Sequence, residues 1–327
     1  MSSSMVYLPE HDQKFIVASH ESILHAGLAS GINLNYGCES GNCGDCRARL
    51  MSGSIMGLGH SDYPFTEVEK SEGHFLMCRN LAIGDIEIGT RLRDRAEVLP
   101  YQELEAKVYQ IQSLSDEVLA VSFRTPRSQP LKFFAGQFIK VDFGRGISRY
   151  KSVASCPCDG LKPVIHVKLE RDDFSQYCHE ALKKNDNVNL SGPGGRFVFN
   201  EGNIQPKVFV SFDTGFASIN SLIEQFINLD TEQSIEIYRF ASSAGQTYLD
   251  NYCRSIADVF DNIEYNLQIV EKNASIDLST VIRRSEILSH SELFISVPEI
   301  WQEQISTQLL LCGVDETAIK FDDTPLI

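Results

Sequence analysis

Four cysteines constrain this chain more than anything else in it. Cys38, Cys43 and Cys46 follow one another as C-x4-C-x2-C, and Cys78 comes 32 positions after Cys46. That spacing suits a [2Fe–2S] cluster, in which two irons need four thiolates. A tight loop can offer three of them to one side, and the fourth must arrive from a separate element. Gly37, Gly41 and Gly44 let such a loop turn through left-handed backbone and bring its amides near the sulfurs. A tetrahedral zinc site usually shows paired C-x2-C units, and only one is present. Phe75, Leu76 and Met77, just before Cys78, are suited to excluding water from the cluster.

Nine cysteines, an odd number, occur without a basic-then-apolar export signal at the N-terminus. The expectation is therefore reduced thiols, no disulfide framework and a cytoplasmic protein. No apolar run reaches the length of a membrane span. With 327 residues the chain predicts two or three domains. Its net charge of −15 argues against nucleic acid as a partner. The charge is unevenly spread. Residues 1–92 carry 11 acids and 6 bases, residues 93–200 carry 13 acids and 16 bases, and residues 201–327 carry 20 acids and 7 bases. The last segment is a poor place to bind a multiply anionic ligand.

Apolar patterning divides the chain the same way. In the first segment a strand over 14–18, a helix over 21–30 stopped by Gly31, and strands over 46–50 and 83–88 form a small α+β unit. Strands over 105–112, 118–124, 138–143 and 164–169, with a helix over 174–182, predict an antiparallel barrel. Beyond residue 205, strands over 208–212, 235–240, 263–270 and 293–297 alternate with helices over 218–229, 248–260, 278–286 and 300–311. That alternation implies a parallel sheet covered on both faces.

The cysteine motif and its flanking glycines resemble a plant-type ferredoxin with the β-grasp fold. The order of segments resembles the ferredoxin-reductase superfamily, in the oxygenase-reductase type with an N-terminal [2Fe–2S] domain. The resemblance implies a ferredoxin domain over 1–92, a flavin-type β-barrel over 103–200 and a nicotinamide-type α/β domain over 205–327. It also implies that Cys38, Cys43, Cys46 and Cys78 are the cluster ligands.

The family's flavin strand reads R-x-Y-S, where Arg meets the phosphate, Tyr stacks on the isoalloxazine and Ser approaches the reactive nitrogen. Here the stretch is Arg149-Tyr150-Lys151-Ser152. Lys151 takes the stacking position without a π-face, and Tyr150 comes one residue early, on the opposite face of a strand. Ser175 matches the residue that opens the pyrophosphate helix, although Arg171 and Asp172 stand where the family has glycines. In the family's G-T-G-x-A-P turn this chain keeps Thr214, Gly215 and Ala217, but has Asp213 for the first glycine and Ser218 for the proline. The late C-G-x-P turn is reduced to Ile295-Ser296-Val297-Pro298.

Two readings stay open. In one, electrons pass through FAD to the cluster and on to a protein partner such as an oxygenase, with NADH preferred over NADPH if either binds. The chain is then an oxidoreductase. In the other, a working ferredoxin rides on a reductase-like scaffold that has lost its nicotinamide site, with or without its flavin site, and serves docking. Cys156-Pro157-Cys158 has no accompanying redox motif, and Phe321 reads as core packing.

Overall fold

The structure is a computed structural model that describes residues 3–36, 41, 44–59, 65–92, 99–198, 203–230, 232–270, 278, 281 and 288–325. It divides into two compact units. One comprises 1–103 with 191–195 and 323–327, and the other 104–190 with 196–322.

The first unit is a β-grasp. Strands β1 (Ser3–Leu8), β2 (Gln13–Ala18), β3 (Arg47–Gly57), β4 (His74–Leu76) and β5 (Asn80–Thr90) form one sheet in the order β2-β1-β5-β3-β4. β1 pairs parallel with β5, while the other pairings are antiparallel. Helix α1 (Ile23–Ala29) begins where Ser22 accepts a hydrogen bond from the His25 amide, and stops at Gly31 with φ +76°. Its buried side, including Leu24 and Leu28, packs with Phe15, Leu34 and Leu76. The short helix α2 (Glu67–Ser71) carries a capping box between Thr66 and Glu69.

The second unit holds two sheets. Six strands, β6 (Gln102–Ser113), β7 (Val118–Arg124), β8 (Phe138–Asp142), β9 (Ser148–Ser152), β10 (Val164–Lys168) and β11 (Asn187–Gly194), run in the order β10-β7-β6-β11-β8-β9. A bridge between Val153 and Ile165 joins the two ends and closes the barrel. Its interior contains Phe123, Ile139, Val141, Val153 and Val167. Helix α3 (Asp173–Gln176) adds Phe174 to that core and continues into a wider π-turn over Tyr177–Ala181, so the helix expected over 174–182 is irregular.

Five parallel strands form the last sheet, in the order β14-β13-β12-β15-β16. They are β12 (Lys207–Phe212), β13 (Ile235–Ala241), β14 (Ile263–Ile269), β15 (Glu292–Ser296) and β16 (Ile319–Phe321). All of β13 and β15 is buried, as a sheet covered on both faces demands. Helices α4 (Phe216–Asn228), α5 (Asp250–Val259) and α6 (Glu299–Leu311) follow β12, β13 and β15. The helix expected over 278–286 falls mostly outside the described residues. Phe321 packs with Phe212 and Trp301 against the sheet core. A disulfide joins Cys156 to Cys158, a local bond that the expectation of reduced thiols did not foresee.

Candidate cofactor sites

The cluster site is built at one end of the β3–β4 ladder. Arg47 pairs with Leu76, and the Met77 amide donates to the Cys46 carbonyl at 2.9 Å. Cys46 ends the loop entering β3, and Cys78 lies in the 3-10 turn directly after β4. The ladder therefore brings together two cysteines that are 32 positions apart in sequence. Both are buried, as are Phe75, Leu76 and Met77. Gly41 has φ +95°, and a Cβ there would come within 2.9 Å of the Arg79 side chain. Cys38 and Cys43 lie outside the described residues. Two buried thiols at the mouth of a loop that needs left-handed glycines fit a thiolate-held cluster. The group itself supplies one-electron chemistry.

In the barrel, the β8–β9 register decides which way the flavin-strand residues face. Ile139 pairs with Lys151 and Val141 with Arg149, which puts both cations on the face of those two barrel-core residues. Tyr150 pairs with Lys140 and meets Phe138 edge-on at 5.6 Å, so it faces the other way, with Ser152. The slip expected from sequence is real, and no bulge in β9 corrects it. Lys151 Nζ lies 6.0 Å from the Phe174 ring centre. Burial lowers its pKa, and neighbouring Arg149 adds to the effect. Cys178 shares this environment, and burial pushes its thiol up to about 12.

Arg149 is held by carboxylates. Its Nη1 is 2.8 Å from Asp172, and Nη2 is 3.9 Å from Glu170. Asp172 also caps α3 by accepting from the Ser175 amide at 3.0 Å. Burial raises the Asp172 pKa, but the Ser175 amide and Arg149 outweigh it and hold the carboxyl below its ordinary value. The Ser175 hydroxyl donates to the Lys168 carbonyl and accepts from the Glu170 amide, both at 2.7 Å, so it fastens the turn. Arg149 beside the start of a helix fits a dinucleotide phosphate, with Asp172 as the partner it must release. The ring half of the site lacks the family's tyrosine.

Thr214 and Gly215 lie in the 3-10 turn from Asp213 to Gly215 that leads from β12 into α4. Asp213 adopts φ +48°, the left-handed backbone for which glycine is the ordinary choice. Its carboxylate repays that conformation. Oδ1 accepts from the Ser242 amide at 2.8 Å, and Oδ2 accepts from the Ser242 hydroxyl at 2.7 Å and from Lys168 Nζ at 2.6 Å. Gly215 is needed for another reason, since a Cβ would lie 2.5 Å from the Ser296 carbonyl.

Three buried groups here have settings that the sequence does not show. His166 lies between the barrel and the parallel sheet, 3.2 Å from the Tyr248 hydroxyl. Burial, with Arg239 and Lys151 nearby, drives its pKa down to about 3, so it is neutral. Arg239 is stacked 3.7 Å over the Phe216 ring. Ser296 ends β15 and turns its hydroxyl to Asp322 at 2.9 Å. A serine at the end of the last long apolar strand was the available signal for Ser296. In the sequence His166 reads as an ordinary strand residue, and Arg239 as a single base without the basic cluster that a 2′-phosphate calls for.

A β-grasp with a cysteine ladder, a closed antiparallel barrel and a five-stranded parallel sheet together define a flavin- and iron–sulfur-dependent electron-transfer reductase. The chain joins a 2Fe-2S iron-sulfur domain to an FAD-binding oxidoreductase domain, in the order that ferredoxin reductases with an N-terminal [2Fe–2S] domain share. Residues 7–82 match a 2Fe-2S iron-sulfur cluster binding domain, and residues 105–199 match an oxidoreductase FAD-binding domain. The chain is 29% identical, over 75% of its length and 73% of the relative's, to a CDP-6-deoxy-L-threo-D-glycero-4-hexulose-3-dehydrase reductase of Yersinia pestis. It is 24% identical, over 80% and 76%, to the reductase component of a propane 2-monooxygenase of Gordonia sp. (strain TY-5). Its fold matches a cytochrome P450 reductase of Amycolatopsis at a TM-score of 0.85, with 18% identity and coverage of 98% and 99%. The ferredoxin reductase of carbazole 1,9a-dioxygenase matches at 0.79, with 21% identity and coverage of 98% of each chain.

Proposed function

We propose that this protein is the reductase component of a multicomponent enzyme, delivering single electrons from its [2Fe–2S] cluster to a soluble protein acceptor such as an oxygenase or a dehydrase. The observation that carries the proposal is the ladder that brings Cys46 and Cys78 together in a chain that also has a flavin barrel. The relatives named above support the choice of acceptor. Of the two readings open from the sequence, electron transfer through FAD is favoured over a non-catalytic scaffold. We assign the three modules to 1–92, 103–200 and 205–327, and the compartment to the cytoplasm. Among the described residues, no helix is long and apolar enough to cross a membrane.

Bound flavin supplies the conversion between paired and single electrons that neither a nicotinamide nor the cluster makes alone. The chain's own groups do the rest. Cys38, Cys43, Cys46 and Cys78 hold the cluster, and Phe75, Leu76 and Met77 keep water from its side of the sheet. Arg149 neutralises flavin phosphate once Asp172 is released, with Ser175 keeping the α3 turn in place. Tyr150 and Ser152 offer contacts on one face of β9. On the other, Lys151 places an ammonium where the family has a ring. Thr214 and Gly215 form the turn at the nicotinamide side.

The test is cofactor content per purified full chain. About one flavin and two irons are expected if both domains are functional. Two irons without flavin, even after FAD is added, would reject the flavin step and leave the ferredoxin.

A further inference from the structure

The parallel sheet has its topological switch point between β12 and β15, because the chain leaves β12 toward β13 on one side and later returns to β15 on the other. Ligands of such sheets bind beyond the carboxyl ends of the strands at that point, with phosphates at the following helix N-terminus. Here that helix is α4, and its first turn faces the ends of β12 and β15.

Carboxylates of the chain itself take those positions. Asp322 Oδ2 accepts from the Ser218 hydroxyl at 2.6 Å and from the Ser296 hydroxyl at 2.9 Å. Both serines are buried. Asp322 is delivered by β16, which pairs with β15, and its own amide donates to the Ile295 carbonyl at 2.9 Å. On the β13 side, Asp213 is engaged by Lys168 and Ser242, as described above. The donors of the crevice are thus directed at two anions built into the fold, inside a segment of net charge −13.

We propose that Asp322 is a specificity-determining residue that excludes dinucleotide phosphate from this crevice. Ser218, in the first turn of α4, is the donor that seats it. Neither the Asp213 turn nor the Asp322 contact fits a pyrophosphate, so a nicotinamide dinucleotide is a poor ligand for the chain in this conformation. The inference concerns the electron-donor side of the function proposed above and does not need the flavin to be bound.

The test is calorimetric titration of the full chain with NAD+, which reports binding without hydride transfer. Flavin and iron content are measured on the same samples, so that loss of flavin is told apart from failure of this inference. The wild-type chain should show no saturable binding up to about 1 mM, and Asp322→Asn should tighten binding by about tenfold or more, the scale of removing one screened repulsion. Asp322→Ala should give the same gain and serves if the first variant does not fold. Asp323→Asn removes the same charge one residue later and should leave affinity unchanged. Micromolar binding by the wild type, unchanged affinity in both Asp322 variants, or an equal gain from Asp323→Asn would each overturn the inference.

Discussion

His166 should make the second unit acid-sensitive in a way that can be measured residue by residue. It is buried beside Arg239 and Lys151, and its pKa falls from 6.5 to about 3. The unfolded chain takes up this proton below pH 6.5, while the folded chain does not. The folded pKa is the depressed one, so stability is full above 6.5 and is lost as pH falls toward 3. The slope is ~1.4 kcal/mol per pH unit across that window. Replacing His166 with Gln removes the titration and leaves a polar group to face the Tyr248 hydroxyl. The chain has a single tryptophan, Trp301, on α6 of the second unit, packed edge-on to Phe212 at 4.6 Å. Its fluorescence in urea therefore follows this unit and not the acid-labile cluster. Between pH 7.5 and 5.5, the stability difference between wild type and His166→Gln should shift by about 1.4 kcal/mol in favour of the variant. Parallel stabilities for the two proteins across this range would refute the claim that a neutral, buried His166 is conserved on folding.

Three further outcomes are expected. Arg149→Ala should lower flavin retention by about tenfold or more while leaving the cluster's absorption unchanged, because the cation paired with Asp172 at the α3 cap is removed from a site at some remove in sequence from the cysteines; equal flavin content in the variant would reject its phosphate role. Cys46→Ala and Cys78→Ala should each abolish iron retention, whereas Cys253→Ala should keep it, as iron analysis will report. Lys168→Ala leaves the buried Asp213 without its cation and should destabilise the second unit by about 2 kcal/mol, discounted because Lys168 is partly exposed. Urea denaturation followed by Trp301 checks this, and an unchanged midpoint would sink it.

Much of this architecture could be read from local pattern. The cysteine spacing pointed to a [2Fe–2S] domain, which the domain match over 7–82 supports, and β7 runs over 118–124, as its apolar alternation indicates. The βα alternation gave the parallel sheet, and its central strands carry the short apolar runs Val208–Val210 and Leu293–Ile295 that burial on both faces calls for. Other elements escaped for physical reasons. β9 is Ser-Arg-Tyr-Lys-Ser, with every residue half-buried, so neither face carries an apolar signal. β11 runs through Gly192, Pro193 and Gly194, residue types that carry no strand signal. β16 is three residues long and held by its pairing with β15. In the candidate sites, the substitution at Asp213 was visible, but its repayment by Lys168 was not, since the two are 45 residues apart. Asp322 reaches Ser218 across 104 residues, a contact no local motif encodes.

Helix α4 has a consequence for how this protein can be taken apart. Its N-terminus opens on the crevice, and its next turns grip the segment leaving the flavin strand. Asn220 donates to the Ala154 carbonyl, Ser221 donates to the Ser155 carbonyl, and the Glu224 carboxylate accepts from the Cys156 amide. Burial raises the pKa of that carboxyl, a sign of how dry the seam is. Barrel and parallel sheet are therefore not interchangeable cassettes. A chimera that grafts a foreign nucleotide module onto this barrel must bring equivalents of Asn220, Ser221 and Glu224, or it will strand three main-chain groups two to four residues past the flavin motif.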